Sequence, residues 1–215
     1  MTYLDIVNNV LRRLREDTVS DITETTYSTM VGDFVNDAKK FCEDSCDWSA
    51  LRTDITVTTS SGTSSYSLTN SGENTKVMYA LNDTKNWFMD YQTQKWFADK
   101  YSIGTPADGS PSYYTFDGLD SSDDTKVKLY PKPNATESVV FTVIKKPVAL
   151  SSKTDTMAIP HTPVIHMTVA LLARERGETG GTTASEYFNL ANKYLTDAIA
   201  FDASKHPEET IWYTP

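Results

Sequence analysis

Acidic residues are the most numerous side chains in this sequence that could do chemistry. Asp117, Asp120, Asp123 and Asp124 cluster around Gly118, and several carboxylates in one loop can bind a hard cation such as Ca²⁺. Their spacing does not match a calcium-binding loop, so a solvated turn is the favoured interpretation. Paired carboxylates elsewhere in the chain could also act as the general acid and general base of a hydrolase. A hydrolase is one of three functional hypotheses, and it ranks after the two that are described below.

The histidines and cysteines are not spaced for catalysis or metal binding. His161 and His166 are five residues apart, whereas two ligands on one helical face are three or four apart. His206 lies far along the chain from both. Cys42 and Cys46 are four apart in a predicted helix, which indicates buried structural thiols rather than a disulfide. We therefore predict no catalytic, metal or cofactor site, and a protein that is not an enzyme.

The composition is typical of a folded domain with an acidic surface. The 215 residues are 39% hydrophobic and 23% charged, with a formal net charge of −9. A negative surface repels phosphate, which argues against a sequence-reading DNA-binding protein. A negative surface is compatible with a protein wall along which DNA moves without binding. No apolar run reaches the length of about 18 residues that a membrane helix needs, so we expect no membrane span.

Apolar residues recur at helical spacing near both ends of the chain. Thr2 is placed to cap a first helix, with Asp5 three residues further on. Asp21–Glu24 has the pattern of a capping box for a second helix. After the strands, Thr162 is predicted to cap a third helix, with Pro163 at its first position. A fourth helix follows.

The middle of the chain has the alternating, β-branched pattern of strands. The predicted strands are 53–59, 66–68, 76–81, 86–91, 113–116, 125–130 and 138–145. The order of elements predicts an α+β fold in which both chain ends form a four-helix bundle and an antiparallel β module is inserted between them. The predicted boundaries are 1–52 with 157–205 for the bundle, 53–156 for the β module and 206–215 for an extended C-terminal tail.

The tail has an unusual composition for a short terminal segment. His206-Pro207 stops the last helical pattern, and Ile211, Trp212 and Tyr213 follow within a few residues. Terminal segments are usually poorly ordered and polar, whereas Trp and Tyr are enriched as anchors in protein–protein contacts. We expect these three residues to dock in another subunit. Folding back onto their own domain is the alternative.

Several short motifs follow one another along the chain. They are Asp47-Trp48-Ser49-Ala50-Leu51-Arg52, Gly109-Ser110-Pro111-Ser112-Tyr113-Tyr114, Lys128-Leu129-Tyr130-Pro131-Lys132-Pro133, the strand Val139–Pro147, and Ile159-Pro160 before the last helices. In this order, with helices on both sides of a β module, the chain resembles the head-to-tail adaptor proteins of tailed bacteriophages, also called connector or tail tubular proteins.

The resemblance implies a structural role in the virion. Such adaptors form a ring, typically of twelve copies, beneath the portal protein, and the helical bundle lines the channel through which DNA is ejected. The C-terminal segment, here 206–215, would dock against the portal. The β module would face the tail, where nozzle and fibre proteins attach. DNA would pass without sequence-specific binding, and the protein would join the head–tail interface during assembly in the host cytoplasm.

Aromatic residues in the β module suggest an alternative function. They are Trp87, Phe88, Tyr91, Trp96, Phe97, Tyr101, Tyr113, Tyr114 and Phe116. Most are expected in the core, but an exposed Trp87 or Trp96 could stack on a sugar ring. The alternative is therefore a carbohydrate-binding module on a virion surface.

Overall fold

Helices occupy both ends of the chain and strands occupy its middle. The computed structural model describes residues 1–72, 74–176 and 182–205, with the backbone alone at 182–184. The helices are α1 (Tyr3–Arg13), α2 (Thr26–Asp44), α3 (Gln94–Ala98), α4 (His161–Glu175) and α5 (Thr182–Ala203). The strands are β1 (Arg52–Thr58), β2 (Ser65–Ser67), β3 (Lys76–Asn82), β4 (Trp87–Tyr91), β5 (Asp108–Gly109), β6 (Tyr113–Leu119), β7 (Thr125–Tyr130), β8 (Lys132–Pro133) and β9 (Ser138–Ile144).

The chain divides into two units. The helical unit comprises Met1–Ala50 and the chain from Pro147 onward, and the β unit comprises Leu51–Lys146.

The predicted capping box at the start of α1 is confirmed. The Thr2 hydroxyl oxygen accepts a hydrogen bond from the Asp5 N–H at 3.2 Å, and the Asp5 carboxylate accepts one from the Thr2 N–H at 3.0 Å. These bonds satisfy backbone donors that have no partner within the helix. The helix then buries one apolar face, which consists of Tyr3, Ile6, Val7, Val10 and Leu11.

The predicted start of α2 is wrong. The helix begins at Thr26, and the hydroxyl oxygen of Thr25 accepts a hydrogen bond from the Ser28 N–H at 2.9 Å. The Glu24 side chain bonds to a residue that precedes it in the chain: its carboxylate accepts hydrogen bonds from the N–H and the hydroxyl of Ser20, at 2.6 and 2.8 Å. The Asp21–Glu24 segment is therefore a turn before the helix. Glu24 stabilises this turn through its bonds to Ser20 and does not cap α2.

The predicted four-helix bundle is also wrong. Within the helical unit, α1, α2 and α5 each pack against α4, and in the described part of the chain α5 packs extensively on α4 alone. The largest element of the fold is the seven-stranded sheet of the β unit. A bundle needs four helices that each bury one stripe. α4 instead buries residues around most of its circumference, namely Pro163, Val164, Ile165, Met167, Thr168, Val169, Ala170, Leu172 and Ala173.

The start of α4 differs slightly from the prediction. Pro160 occupies the cap position and the helix begins at His161, so Thr162 lies inside the first turn. The Pro160 side chain makes no capping hydrogen bond. Pro163 still falls in the first turn, where its missing N–H needs no helical partner.

A buried ion pair on α2 forms hydrogen bonds with the segment where the chain returns to the helical unit. On α2, Lys39 and Glu43 lie 3.0 Å apart and are almost completely buried. The Lys39 ammonium also donates hydrogen bonds to the carbonyls of Pro147 and Val148, each at 3.1 Å. A buried charge needs such partners because burial removes its hydration.

The β unit is built on a mixed sheet, not a purely antiparallel one. Its strand order is β1-β9-β3-β4-β6-β7-β2. Neighbours in this order pair antiparallel, except that β4 and β6 pair in parallel, with Asp90 opposite Tyr113. A parallel pair requires a long connection, and the segment 92–112, which contains α3 and β5, provides it. β5 and β8 form a second, two-stranded parallel sheet.

The core of the β unit follows the alternation that predicted its strands. On β7 the buried residues Val127 and Leu129 alternate with partly exposed lysines and Tyr130. Each predicted strand is present in the structure. Successive side chains of a strand point to opposite faces, so one face of the sheet collects the core. Its buried members are Val57, Leu68, Ala80, Met89, Tyr114, Val127, Leu129, Val139, Phe141 and Val143.

Trp48, in the first of the short motifs, closes the end of α2. It is fully buried, and its indole N–H donates to the Cys42 carbonyl at 2.8 Å. That carbonyl belongs to the last turn of α2, where backbone acceptors lack the usual partner four residues on, and it also accepts a hydrogen bond from the Ser45 N–H at 3.3 Å. Burial raises the pKa of the Cys42 thiol to about 12, so this thiol stays protonated at neutral pH. Cys42 and Cys46 are not joined by a disulfide.

Replacing Trp48 with Phe should destabilise the fold. The change leaves the Cys42 carbonyl with the longer hydrogen bond from the Ser45 N–H alone, at 3.3 Å. It also creates a small cavity, and the expected total cost is about 1 to 3 kcal/mol. Chemical denaturation followed by circular dichroism measures this loss. Trp87→Phe is the matched control, because Trp87 is 38% exposed and water can replace its contacts. Equal stability losses in the two variants would contradict the role assigned to Trp48.

Candidate protein-interaction surfaces

The aspartate cluster of the β6–β7 connection is a hydrogen-bonded turn. The Asp120 carboxylate accepts hydrogen bonds from the N–H groups of Ser122 and Asp124, at 2.8 and 3.0 Å. The Asp124 carboxylate accepts from the N–H groups of Asn70 and Gly72, at 2.8 and 2.9 Å. These oxygens satisfy local backbone amides. Within residues 1–72, 74–176 and 182–205, no group of three His, Cys, Asp or Glu side chains could hold a metal.

His161 and His166, the two histidines that the structure describes, make contacts within the helical unit. The two ring nitrogens of His161 lie 2.9 Å from the Met1 amino group and 3.1 Å from the Ile159 carbonyl oxygen. His166 stacks on Tyr194 with a centroid distance of 4.4 Å. Burial, followed by the charge of Arg13, lowers the pKa of His166 below its usual value. The ring is therefore neutral at pH 7 and suited to stacking.

The two tryptophans considered for sugar stacking are both engaged by their own unit. Trp96 is half-buried and packs against Phe97, Tyr113 and Tyr130, with centroid distances of 5.3, 5.1 and 5.1 Å. The Trp87 indole N–H donates to the Pro111 carbonyl at 3.0 Å. These contacts account for both side chains as parts of the fold.

A buried carboxylate holds the Gly109–Tyr114 motif in place. Glu137 is 4% exposed and accepts hydrogen bonds from the Asn82 amide at 2.7 Å and the Ser110 hydroxyl at 2.5 Å. The Asn82 amide also lies 3.3 Å from the Pro111 carbonyl oxygen. Sequence reasoning missed Asn82 and Glu137, because an isolated Asn and an isolated Glu carry no pattern that indicates burial.

An apolar groove runs between α2, α4 and α5 of the helical unit. Its volume is about 380 Å³ and its walls are almost entirely apolar. The lining residues are Asp37, Phe41, Met167, Leu171, Arg174, Phe188 and Asn192. Phe41 is 50% exposed, and the Arg174 guanidinium lies 5.9 Å from the centre of the Phe188 ring. Exposed apolar patches mark protein contacts or ligand-binding grooves when they are large and contiguous. We call this site the α2–α4–α5 groove.

α5 is unusually exposed for a long helix in a folded unit. Among its described side chains, those of Ala191, Leu195 and Asp202 are buried. Large apolar residues elsewhere on its surface are exposed, namely Tyr187, Leu190, Tyr194 and Phe201. One neighbouring helix therefore covers only part of the apolar surface of α5.

The last turn of α5 is fastened to the segment that follows α2. The buried Asp202 carboxylate accepts hydrogen bonds from the N–H and hydroxyl of Ser49, at 2.8 and 2.7 Å, and from the Lys205 ammonium at 2.9 Å. Burial alone would raise the pKa of Asp202, but the bonds from Ser49 and Lys205 lower it below its usual value. The predicted docking residues Ile211, Trp212 and Tyr213 lie outside the described residues.

These features define a helical unit with apolar side chains exposed at its surface. Residues 1–210 match the family model described as SU10 adaptor protein, and the chain belongs to this family. No curated protein matches the chain. Family membership makes it an adaptor, a structural protein of the bacteriophage virion that associates with other virion proteins. In the part of the chain that the structure describes, no helix has the length and apolarity needed to cross a membrane.

Replacing Asp202 with Asn should loosen the end of α5 in a pH-dependent way. Hydrogen bonds to a charged group contribute about 1.5 to 3 kcal/mol, so the variant should be less stable at pH 7. Because the pKa of Asp202 is lower in the folded state, its contribution is present above about pH 4 and is lost as the pH falls through the folded-state pKa.

The difference in unfolding free energy between wild type and variant should therefore shrink below about pH 4. Denaturant titrations at several pH values measure it. Asp197→Asn, on the exposed side of the same helix, is the control. A difference that stays constant down to pH 2 would contradict the role of the charged carboxylate.

Proposed function

We propose that this protein is a structural subunit of the phage head-to-tail connector, without catalytic activity. Twelve copies form an adaptor ring that joins the portal protein to the tail. The match to an adaptor family over residues 1–210 carries the proposal, because it spans both units of the chain. The exposed apolar surfaces of the helical unit support it, since a subunit of a ring needs contacts with neighbours on two sides.

The charge of the protein supports a role in lining the DNA channel. The net charge is −9 and the sequence pI is about 4.8. An acidic wall repels the phosphates of DNA, so the duplex passes without sequence-specific binding. The helical unit builds the ring and its channel, and the β unit faces the tail, where nozzle and fibre proteins attach. The protein resides at the head–tail interface of the virion after assembly in the host cytoplasm.

The C-terminal tail is the proposed link to the portal. Asp202 holds the end of α5 at Ser49, and residues 206–215 follow this helix in the sequence. Ten residues can span at most about 35 Å, which is enough to reach a neighbouring protein. Ile211, Trp212 and Tyr213 are the docking residues, because large apolar and aromatic side chains supply most of the free energy of protein binding.

Deleting residues 207–215 should abolish attachment to the portal and leave the protein folded. The deletion removes all three docking residues but retains the hydrogen bonds of Asp202 to Ser49. Co-sedimentation with purified portal measures attachment, and circular dichroism confirms folding. Normal attachment of the folded, shortened protein would refute the docking role of the tail.

Replacing Trp212 with Ala should weaken portal binding by about 2 kcal/mol, or roughly 30-fold in Kd, as expected for an interface anchor. A binding titration of the full-length variant against purified portal measures the effect. Thr214→Ala is the matched control, since it changes the same tail without removing an aromatic ring. Equal affinities of wild type and Trp212→Ala would count against the anchor.

A further inference from the structure

α5 has a second apolar face on a different side from the groove. Tyr187, Leu190 and Tyr194 follow one another at i, i+3 and i+7 and are 37%, 39% and 37% exposed. At about 100° per residue, they lie roughly 100° to 160° around the helix from Phe188, which lines the groove. We call these three residues the α5 ridge.

The ridge has the pattern of a helix that binds in an apolar groove. Anchors at i, i+3 and i+7 are the typical signature of this mode of recognition. The stack on His166, at 4.4 Å, holds the Tyr194 ring in place before any partner binds, which reduces the entropy lost on binding.

The charges beside the two surfaces are complementary. The groove carries one acid and one base at its rim, Asp37 on α2 and Arg174 on α4. The exposed residues next to the ridge on α5 include Lys193 and the acids Glu186 and Asp197. Each rim charge of the groove therefore has an opposite charge available beside the ridge. Such complementarity sets the register of two surfaces more than their affinity.

We propose that the α5 ridge of one copy inserts into the α2–α4–α5 groove of the next copy in the ring. The inference rests on the proposed ring function and specifies its subunit contact. Because ridge and groove lie on different sides of the same helical unit, one copy offers its ridge to one neighbour and its groove to another. This is a heterologous contact, the type that closes into a ring. A second copy covers both apolar surfaces with one repeated contact.

Single charge insertions on the two surfaces test the contact. Leu190→Asp disrupts the ridge and Phe41→Asp disrupts the groove, and both side chains are exposed enough to leave the fold intact. Phe88→Asp, in the β unit and 69% exposed, is the matched control. Sedimentation velocity of the full-length variants, alone and with portal, measures association between copies. We expect each disruption to weaken it about tenfold or more and the control to have no effect.

Mixing the two defective variants distinguishes a heterologous contact from a symmetric one. A Leu190→Asp copy retains its groove, and a Phe41→Asp copy retains its ridge. An equimolar mixture should therefore form pairs of two 24.0 kDa subunits but no ring. A mixture that forms no pairs would overturn the proposal, because a heterologous contact leaves one intact interface.

The remaining outcomes separate this inference from the proposed function. Wild type that forms rings, with both variants assembling normally, would refute the ridge–groove contact and leave the ring function standing. Failure of Phe41→Asp alone, with normal assembly of Leu190→Asp, would assign the groove to another segment, such as the C-terminal tail, and also refute it. Wild type that shows no association between copies, with or without portal, would contradict both.

Discussion

The burial of α4 is the constraint on which the helical unit depends. This helix buries residues around most of its circumference, so it must be surrounded by other helices. Burying a Val, Leu or Ile side chain contributes about 1.5 to 3 kcal/mol, and α4 buries several of them together. α1, α2 and α5 supply the surrounding surface. With α4 in the centre, α5 is covered chiefly from one side, whereas α1 and α2 also pack against each other.

That arrangement explains why the function depends on contacts with other proteins. α5 is apolar on more than the side that α4 covers, so its remaining apolar surface is available to partners. The groove, which Phe188 of α5 helps to line, and the ridge at Leu190 are two such surfaces, and they lie on different sides of α5. Asp202 fixes the end of the same helix by hydrogen bonds to Ser49. Exposed apolar surfaces of this kind suit an adaptor that associates with other virion proteins.

Local patterns predicted the strands well and the helix packing poorly. The strand 125–130 was predicted from the sequence, and in the structure its alternate residues Val127 and Leu129 are buried, because side-chain direction alternates strictly in a strand. A helical stripe, by contrast, does not reveal how many neighbours a helix has, and this is why the bundle was predicted in place of a central α4. Chain order also did not reveal the parallel β4–β6 pair or the buried Glu137 network, which bring together residues far apart in sequence.

The mass of the protein in solution, with and without purified portal, tests the central claim most directly. Light scattering should detect a complex that carries many copies of the 24.0 kDa subunit on each portal, or a ring that forms before the portal is added. A stable monomer that does not bind the portal at any tested concentration would contradict the account.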